Sequence, residues 1–291
     1  MEIALHLGAH LTDEGLLDKC LRKNRSELAD AGIVVKRTSN YLNLMRGAAN
    51  DLANGNDTPD FMAKLLEALN APEDSRRLVF SAPGLMTQLS QVTDGTILYP
   101  GAMARIACYR HLLAGTDAEI FIAFRNPASF IPALLQHVLD FERAEILENL
   151  RPEELRWSLY IDEIRQGWPE ASVTVWCDED TPFIWHRLLR LVSNYEPETE
   201  FKNSFNWFDS VMLKGGAAKL AAYLEANPPV DEAHRQQVIS AFLDKYCDPA
   251  KLDVDVSIAG WDEARTDVIS ELYEEDTAKI RQMEGVKFIS P

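Results

Sequence analysis

Short apolar runs alternate along this chain with apolar residues at helical spacing. Ile3 to Leu7 is a run ending at Gly8, the pattern of a buried first strand. Leu17, Cys20, Leu21, Asn24 and Leu28 follow at helical spacing, with Gly32 as a C-cap. Thr58-Pro59-Asp60 opens a helix whose apolar face holds Phe61, Met62, Leu65, Leu66 and Leu69. Leu78 to Phe80 predicts a second strand, broken by Ser81-Ala82-Pro83-Gly84. Glu119 to Phe124 predicts a third, ended by Arg125-Asn126-Pro127. A helix with Phe130, Ile131, Leu134, Leu135, Val138 and Leu139 comes next. Val173 to Trp176 predicts a fourth strand, closed by Cys177-Asp178-Glu179-Asp180, and Thr181-Pro182 starts another helix. From Lys214 the pattern is helical until Val286 to Ile289.

Strands separated by helical stretches predict an α/β fold, a parallel sheet covered on both faces. Residues 1–213 are expected to form this core, and residues 214–291 a mainly helical extension with a short terminal strand. Asn227-Pro228-Pro229 also suits a boundary.

Charge narrows the partners. The 291 residues hold 46 acids and 29 bases, net −17, and residues 231–291 alone hold 14 acids and 7 bases. Such a surface repels nucleic-acid phosphates and anionic membranes. No apolar run reaches the length of a membrane span. Met1-Glu2-Ile3-Ala4-Leu5 lacks the basic start of a secretory signal. Cys20, Cys108, Cys177 and Cys247 form no CxxC pair, so neither a zinc ribbon nor a dithiol redox motif is present. A cytoplasmic protein with reduced thiols is expected.

Ligands of an open parallel sheet bind beyond the carboxyl ends of its strands. That rule selects the loop Gly8 to Gly15, the segment Ser81–Gly84, Arg125-Asn126 and Asp178–Asp180. The first loop joins strand to helix, where backbone amides and the helix dipole favour an anion. It is not a Walker loop: the second glycine of GxxxxGK[ST] falls on Asp13, and no Lys-Ser or Lys-Thr follows. Ser81 has no G-x-S-x-G elbow around it. His111, His137, His186 and His234 lie in helical patterns and suit structural roles. The six tryptophans are scattered, as core packing residues are.

The segment His6-Leu7-Gly8-Ala9-His10-Leu11-Thr12 resembles the opening of bacterial P-loop sulfotransferase-like proteins, commonly HxGxHKTGTTxLQ. Leu17, Leu21, Asn24-Arg25, Leu28 and Gly32-Ile33 continue the likeness. EIFIAFRNP resembles the family's second signature, and the ending Tyr273–Asp276 with Gly285–Pro291 is similar to bacterial members. The resemblance implies binding of PAPS (3′-phosphoadenosine 5′-phosphosulfate) or its product PAP by Gly8, Ala9, His10, Thr12, Gly15 and Arg125. Arg125 would hold the 3′-phosphate, and His10 would be the catalytic base.

The departures are chemical. Leu11 stands where the family has its lysine, Asp13, Glu14 and Gly15 where it has glycine and two hydroxyls, and Ala133 where it has a serine. Two unit charges about 4 Å apart interact by roughly 4 kcal/mol at an effective dielectric of 20. Exchanging an attraction for a repulsion beside a phosphosulfate therefore weakens it by several tenfold steps. Lys19 and Arg22 are one to two helical turns further on and do not replace Leu11. Asp13 and Glu14 also suit the first turn of a helix, offsetting its dipole and competing with any anion for the same amides.

Three functions follow. The first is a sulfotransferase-family protein with a degenerate PAPS site, acting in binding or scaffolding. The second is an active enzyme moving a sulfuryl group to a hydroxyl. The third is a cation-assisted enzyme using His6, His10, Asp13, Glu14 and Asp178–Asp180; no HExxH-type spacing fixes ligands for it, and no resident metal is expected. The partner, a small molecule or a protein, and the oligomeric state are not legible in the sequence.

Overall fold

The computed structural model describes residues 1–197, 200–252 and 258–291. In chain order the strands are β1 (Glu2–His6), β2 (Ile33–Val35), β3 (Arg77–Ser81), β4 (Asp117–Phe124), β5 (Ser172–Cys177) and β6 (Val286–Phe288). They form one six-stranded sheet, order β2-β3-β1-β4-β5-β6, with every pair parallel. β1 lies inside the sheet, so the loop that follows it opens at the middle of the carboxyl edge.

The helices α1 (Leu16–Lys23) and α2 (Arg25–Asp30) link β1 to β2. Helices α3 (Leu42–Ala53) and α4 (Phe61–Leu69) link β2 to β3, and α5 (Ala102–Leu112) links β3 to β4. Helices α6 (Pro127–His137), α7 (Asp140–Asn149) and α8 (Trp157–Gly167) precede β5. Then come α9 (Thr181–Ser193), α10 (Asn206–Val211), α11 (Gly216–Ala226), α12 (Glu232–Tyr246), α13 (Pro249–Leu252) and α14 (Glu263–Arg281).

Alternation along each strand builds two cores. Ile3, Leu5, Leu78, Phe80, Ile120, Ile122, Val173 and Val175 face one side, against α3, α5, α6 and α8. Ala4, Val79, Phe121, Ala123 and Trp176 face the other, against α1, α9 and α11. A parallel sheet buried on both faces reads as the continuous apolar runs seen in the sequence.

Several expectations change. The helix expected from Leu17 through Leu28 breaks at Asn24, whose side-chain amide donates to the carbonyls of Cys20 and Lys202. Ile33–Val35, unassigned in the sequence, is an edge strand of three residues. The helix through Leu139 stops at His137, because Val138 and Leu139 are extended before α7 begins. The segment beyond 213 packs against the core, an arrangement that the sequence left open. Met212 bridges to Cys247, α12 packs on α9, and β6 pairs with β5. The helical reading of residues 253–257 lies outside the described residues. Among the described residues no helix is long and apolar enough to cross a membrane.

Candidate functional site

The loop from Leu7 to Gly15 rises from β1 and is pinned to β4: the amides of Leu7 and Ala9 donate to the carbonyls of Phe121 (2.9 Å) and Ala123 (2.5 Å). Gly8 turns with φ 73°, and a Cβ there would sit 2.6 Å from Cγ of Pro83. Both the dihedral and the close approach require glycine. Thr12 closes the turn by donating its hydroxyl to the Ala9 carbonyl (2.9 Å).

At the start of α1 the helix amides meet an anion that belongs to the chain. Asp13 is buried, and its carboxylate accepts from the amides of Gly15 (3.3 Å) and Leu17 (2.9 Å). The Asp13 carbonyl takes the amide of Leu16 (2.8 Å). The positive end of the helix, which would attract a phosphate, is thus satisfied internally.

Beneath the loop lies His6, fully buried. Its Nδ1 is 2.8 Å from the Ser81 hydroxyl, its ring stacks on Trp176, and Nε2 has no partner among the described residues. Burial pushes its pKa down, opposed by the nearby charges of Asp13 and Asp18.

His10 turns away from the cleft toward Tyr99. The His10 amide donates to the Tyr99 hydroxyl oxygen, and Nδ1 lies 2.8 Å from the same oxygen. Tyr99 thus accepts from the His10 amide and shares its hydroxyl with Nδ1. Burial, with Arg46 as the second cause, pushes the His10 pKa down to about 4. A ring held this far below its ordinary pKa is a weak general base.

Arg125, at the end of β4, faces the cleft. Its Nε donates to the Ser129 hydroxyl (2.9 Å) and its Nη1 to the Leu11 carbonyl (3.2 Å), while Trp157 Nε1 holds its backbone carbonyl (2.8 Å). The next amide, of Asn126, donates to Glu179 Oε1 (2.8 Å), and the Tyr273 hydroxyl donates to Glu179 Oε2 (2.9 Å). A second loop amide is thus met by a carboxylate of the protein. Asp276, in the same turn of α14 as Tyr273, accepts from the amide and hydroxyl of Ser158. These contacts bring the C-terminal helix against the site.

The cleft itself encloses about 670 Å³. Leu11, Thr12, Arg125, Ala133 and Asp178 line it, while Ala9 is buried behind the loop. Its acids are Glu14, Asp178, Glu179 and Asp209; its bases are Arg125, Lys251 and His137. The Lys251 amine donates to the carbonyls of Asp209 (2.9 Å) and Met212 (2.6 Å). Desolvation pushes the Asp178 carboxyl up to about 7; Arg125 opposes the shift, and Glu179 and Asp13 add to it.

The backbone concentrates strain here. Seven non-glycine residues have positive φ among those described, and four are Asp or Asn, which tolerate it. The other three are Leu11 (φ 59°), Glu14 (φ 48°) and Tyr99 (φ 52°), all in or against this loop. Stored strain of this kind clusters at functional sites.

The expected cation ligands do not converge: among the described residues no three His, Cys, Asp or Glu side chains form a metal-binding group. His6 and His10 are engaged with Ser81 and Tyr99. Sequence reasoning missed Tyr99, Lys251, Trp157 and Ser270, which lies 2.9 Å from the Asn126 side chain. None carries a local motif, and each arrives from another part of the chain. Compared with known proteins, the chain matches no family model, no curated protein and no solved structure.

Proposed function

We propose that this chain is a binding or scaffolding protein built on a sulfotransferase-like P-loop architecture, whose anion cradle is closed by its own Asp13. The observation that carries the reading is the Asp13 carboxylate on the amides of Gly15 and Leu17. A phosphosulfate donor needs those amides free and a cation at position 11. The chain offers a carboxylate and Leu11 instead, in a cleft with more acids than bases. Electrostatic stabilisation of a transferring anionic group requires the opposite sign of charge. The low pKa of His10, pushed down to about 4 by burial, points the same way, since so weakly basic a ring takes a hydroxyl proton poorly.

The test is a sulfuryl-transfer assay with labelled PAPS and a panel of phenolic, alcohol and sugar acceptors. The expected result is no transfer above the rate without protein. Turnover that depends on Arg125 would replace this reading with that of a working sulfotransferase.

A further inference from the structure

A second cavity, of about 760 Å³, lies between α3, α5 and α7, with Met86 on its lining. Its walls mix small apolar residues, Ala49 and Ala53 on α3, Ala104 on α5 and Ile146 on α7, with polar ones, Thr87, Ser90, Gln91 and Asn149. Arg105 reaches into this space from α5. Its Nη1 is buried with no hydrogen-bond partner among the described residues, although the guanidinium also bonds the Tyr109 side chain. A buried guanidinium nitrogen without an acceptor is costly, and native structures seldom keep one without use. Arg46 stands one turn before Ala49 on α3 and, like Arg105, bears electrostatically on Tyr109. Neither arginine forms an ion pair among the described residues, in a chain of net charge −17.

The acids around the cavity are otherwise placed. Asp94 accepts from the amides of Thr96 (2.9 Å) and Ile97 (2.8 Å) in its own turn. Glu142 accepts from the Leu139 amide (3.0 Å), and Glu145 is exposed at the rim. The cavity therefore sets one guanidinium, Arg105, among small apolar and polar side chains, with the carboxylates of Asp94, Glu142 and Glu145 also on its lining. Carboxylates on the lining disfavour a multiply charged phosphate more than a single carboxylate. A planar guanidinium matches a carboxylate with paired N–H donors.

We propose that this cavity binds a small organic monoanion, a carboxylate with an apolar body, whose charge sits against Arg105. The proposal does not depend on the state of the Asp13 loop. The test is calorimetric titration of the full chain with acetate, hexanoate, 3-phenylpropionate and inorganic phosphate. Hexanoate or 3-phenylpropionate should bind saturably and at least about tenfold more tightly than acetate, because the body adds buried apolar area. Arg105→Gln should weaken that binding by about tenfold or more. Ala53→Phe, at an exposed wall position, should also weaken it by filling the space, and it keeps the test informative should Arg105→Gln fail to fold. The proposal is overturned by no saturable binding of either apolar-bodied probe below about 10 mM. Unchanged affinity in a folded Arg105→Gln or in Ala53→Phe, or phosphate binding as tightly as the carboxylates, overturns it equally.

Discussion

The two edges of the sheet use buried charge in opposite ways. At the amino edge, Arg77 on β3 is fully buried, yet its guanidinium is met on all sides. It pairs with Glu2 of β1 (2.8 Å) and Glu119 of β4, and it donates to the Val192 carbonyl. Three parallel strands and α9 are fixed by one side chain. At the carboxyl edge the charges are not balanced. Asp13 is spent on helix amides, Asp178 is desolvated, and Leu11, Glu14 and Tyr99 hold left-handed backbone. One edge is built for stability, and the other keeps strain and unmet electrostatics, which is where binding is expected.

Breaking the amino edge should cost most. Arg77→Ala removes the clamp and leaves Glu2 beside Glu119, and is expected to destabilise by about 3 kcal/mol in urea unfolding. A loss comparable to that of an ordinary surface arginine would show that the clamp is ornamental. Next comes the partner of His10. Tyr99→Phe leaves the His10 amide and Nδ1 unmet and should cost about 2 kcal/mol. It should also remove the hydroxyl that Nδ1 meets, moving the histidine's NMR titration. An unchanged chemical-shift profile would contradict the pairing.

Smaller effects separate the two edges further. Asp13→Ala strips the acceptor from Gly15 and Leu17 and should cost about 1 kcal/mol. Asp178 has a folded pKa raised to about 7 from an ordinary 3.8. Between those values the native state binds more protons than the unfolded one, so stability from this group falls as pH rises. Asp178→Asn should therefore gain in melting temperature over the parent as pH rises from about 5 to about 8. A constant difference across that range would mean that Asp178 titrates normally. At the amino edge the sign reverses for Glu2. Burial raises its pKa, but Arg77 and Asn194 outweigh that and hold it low, so its contribution is lost only as pH falls through the folded pKa.

Much of the scaffold was legible in the sequence because doubly buried strands write themselves as unbroken apolar runs. Ile3–Leu7, Leu78–Phe80, Glu119–Phe124 and Val173–Trp176 each mark a strand of the sheet. β2 escaped because three residues hold no periodicity. The break at Asn24 escaped because its cause, the carbonyl of Lys202, lies far along the chain. Part of one cleft's lining was also legible. The sheet rule located the Gly8–Gly15 loop, Arg125 and Asp178, and helix-dipole reasoning anticipated that Asp13 would compete for the loop amides. Tyr99 was not readable, since its bond to His10 spans 89 residues. Nor was Arg77, whose meaning depends on strand order. Glu14 was read as a second helix-start acid, yet its left-handed backbone and place at the cleft set it apart from Asp13.

The central claim is that Asp13 closes the anion cradle, and one paired titration tests it most directly. Adenosine 3′,5′-bisphosphate is titrated calorimetrically into the parent chain and into Leu11→Lys/Asp13→Gly, at low and at physiological salt. Glu14 is left alone, because a β-branched residue at its positive φ would add strain. The parent should show no saturable heat up to about 1 mM, and the double variant should bind at least about tenfold more tightly than that limit. Micromolar binding by the parent would contradict the claim outright, and a folded double variant that still fails to bind would show that the loop was never a nucleotide cradle.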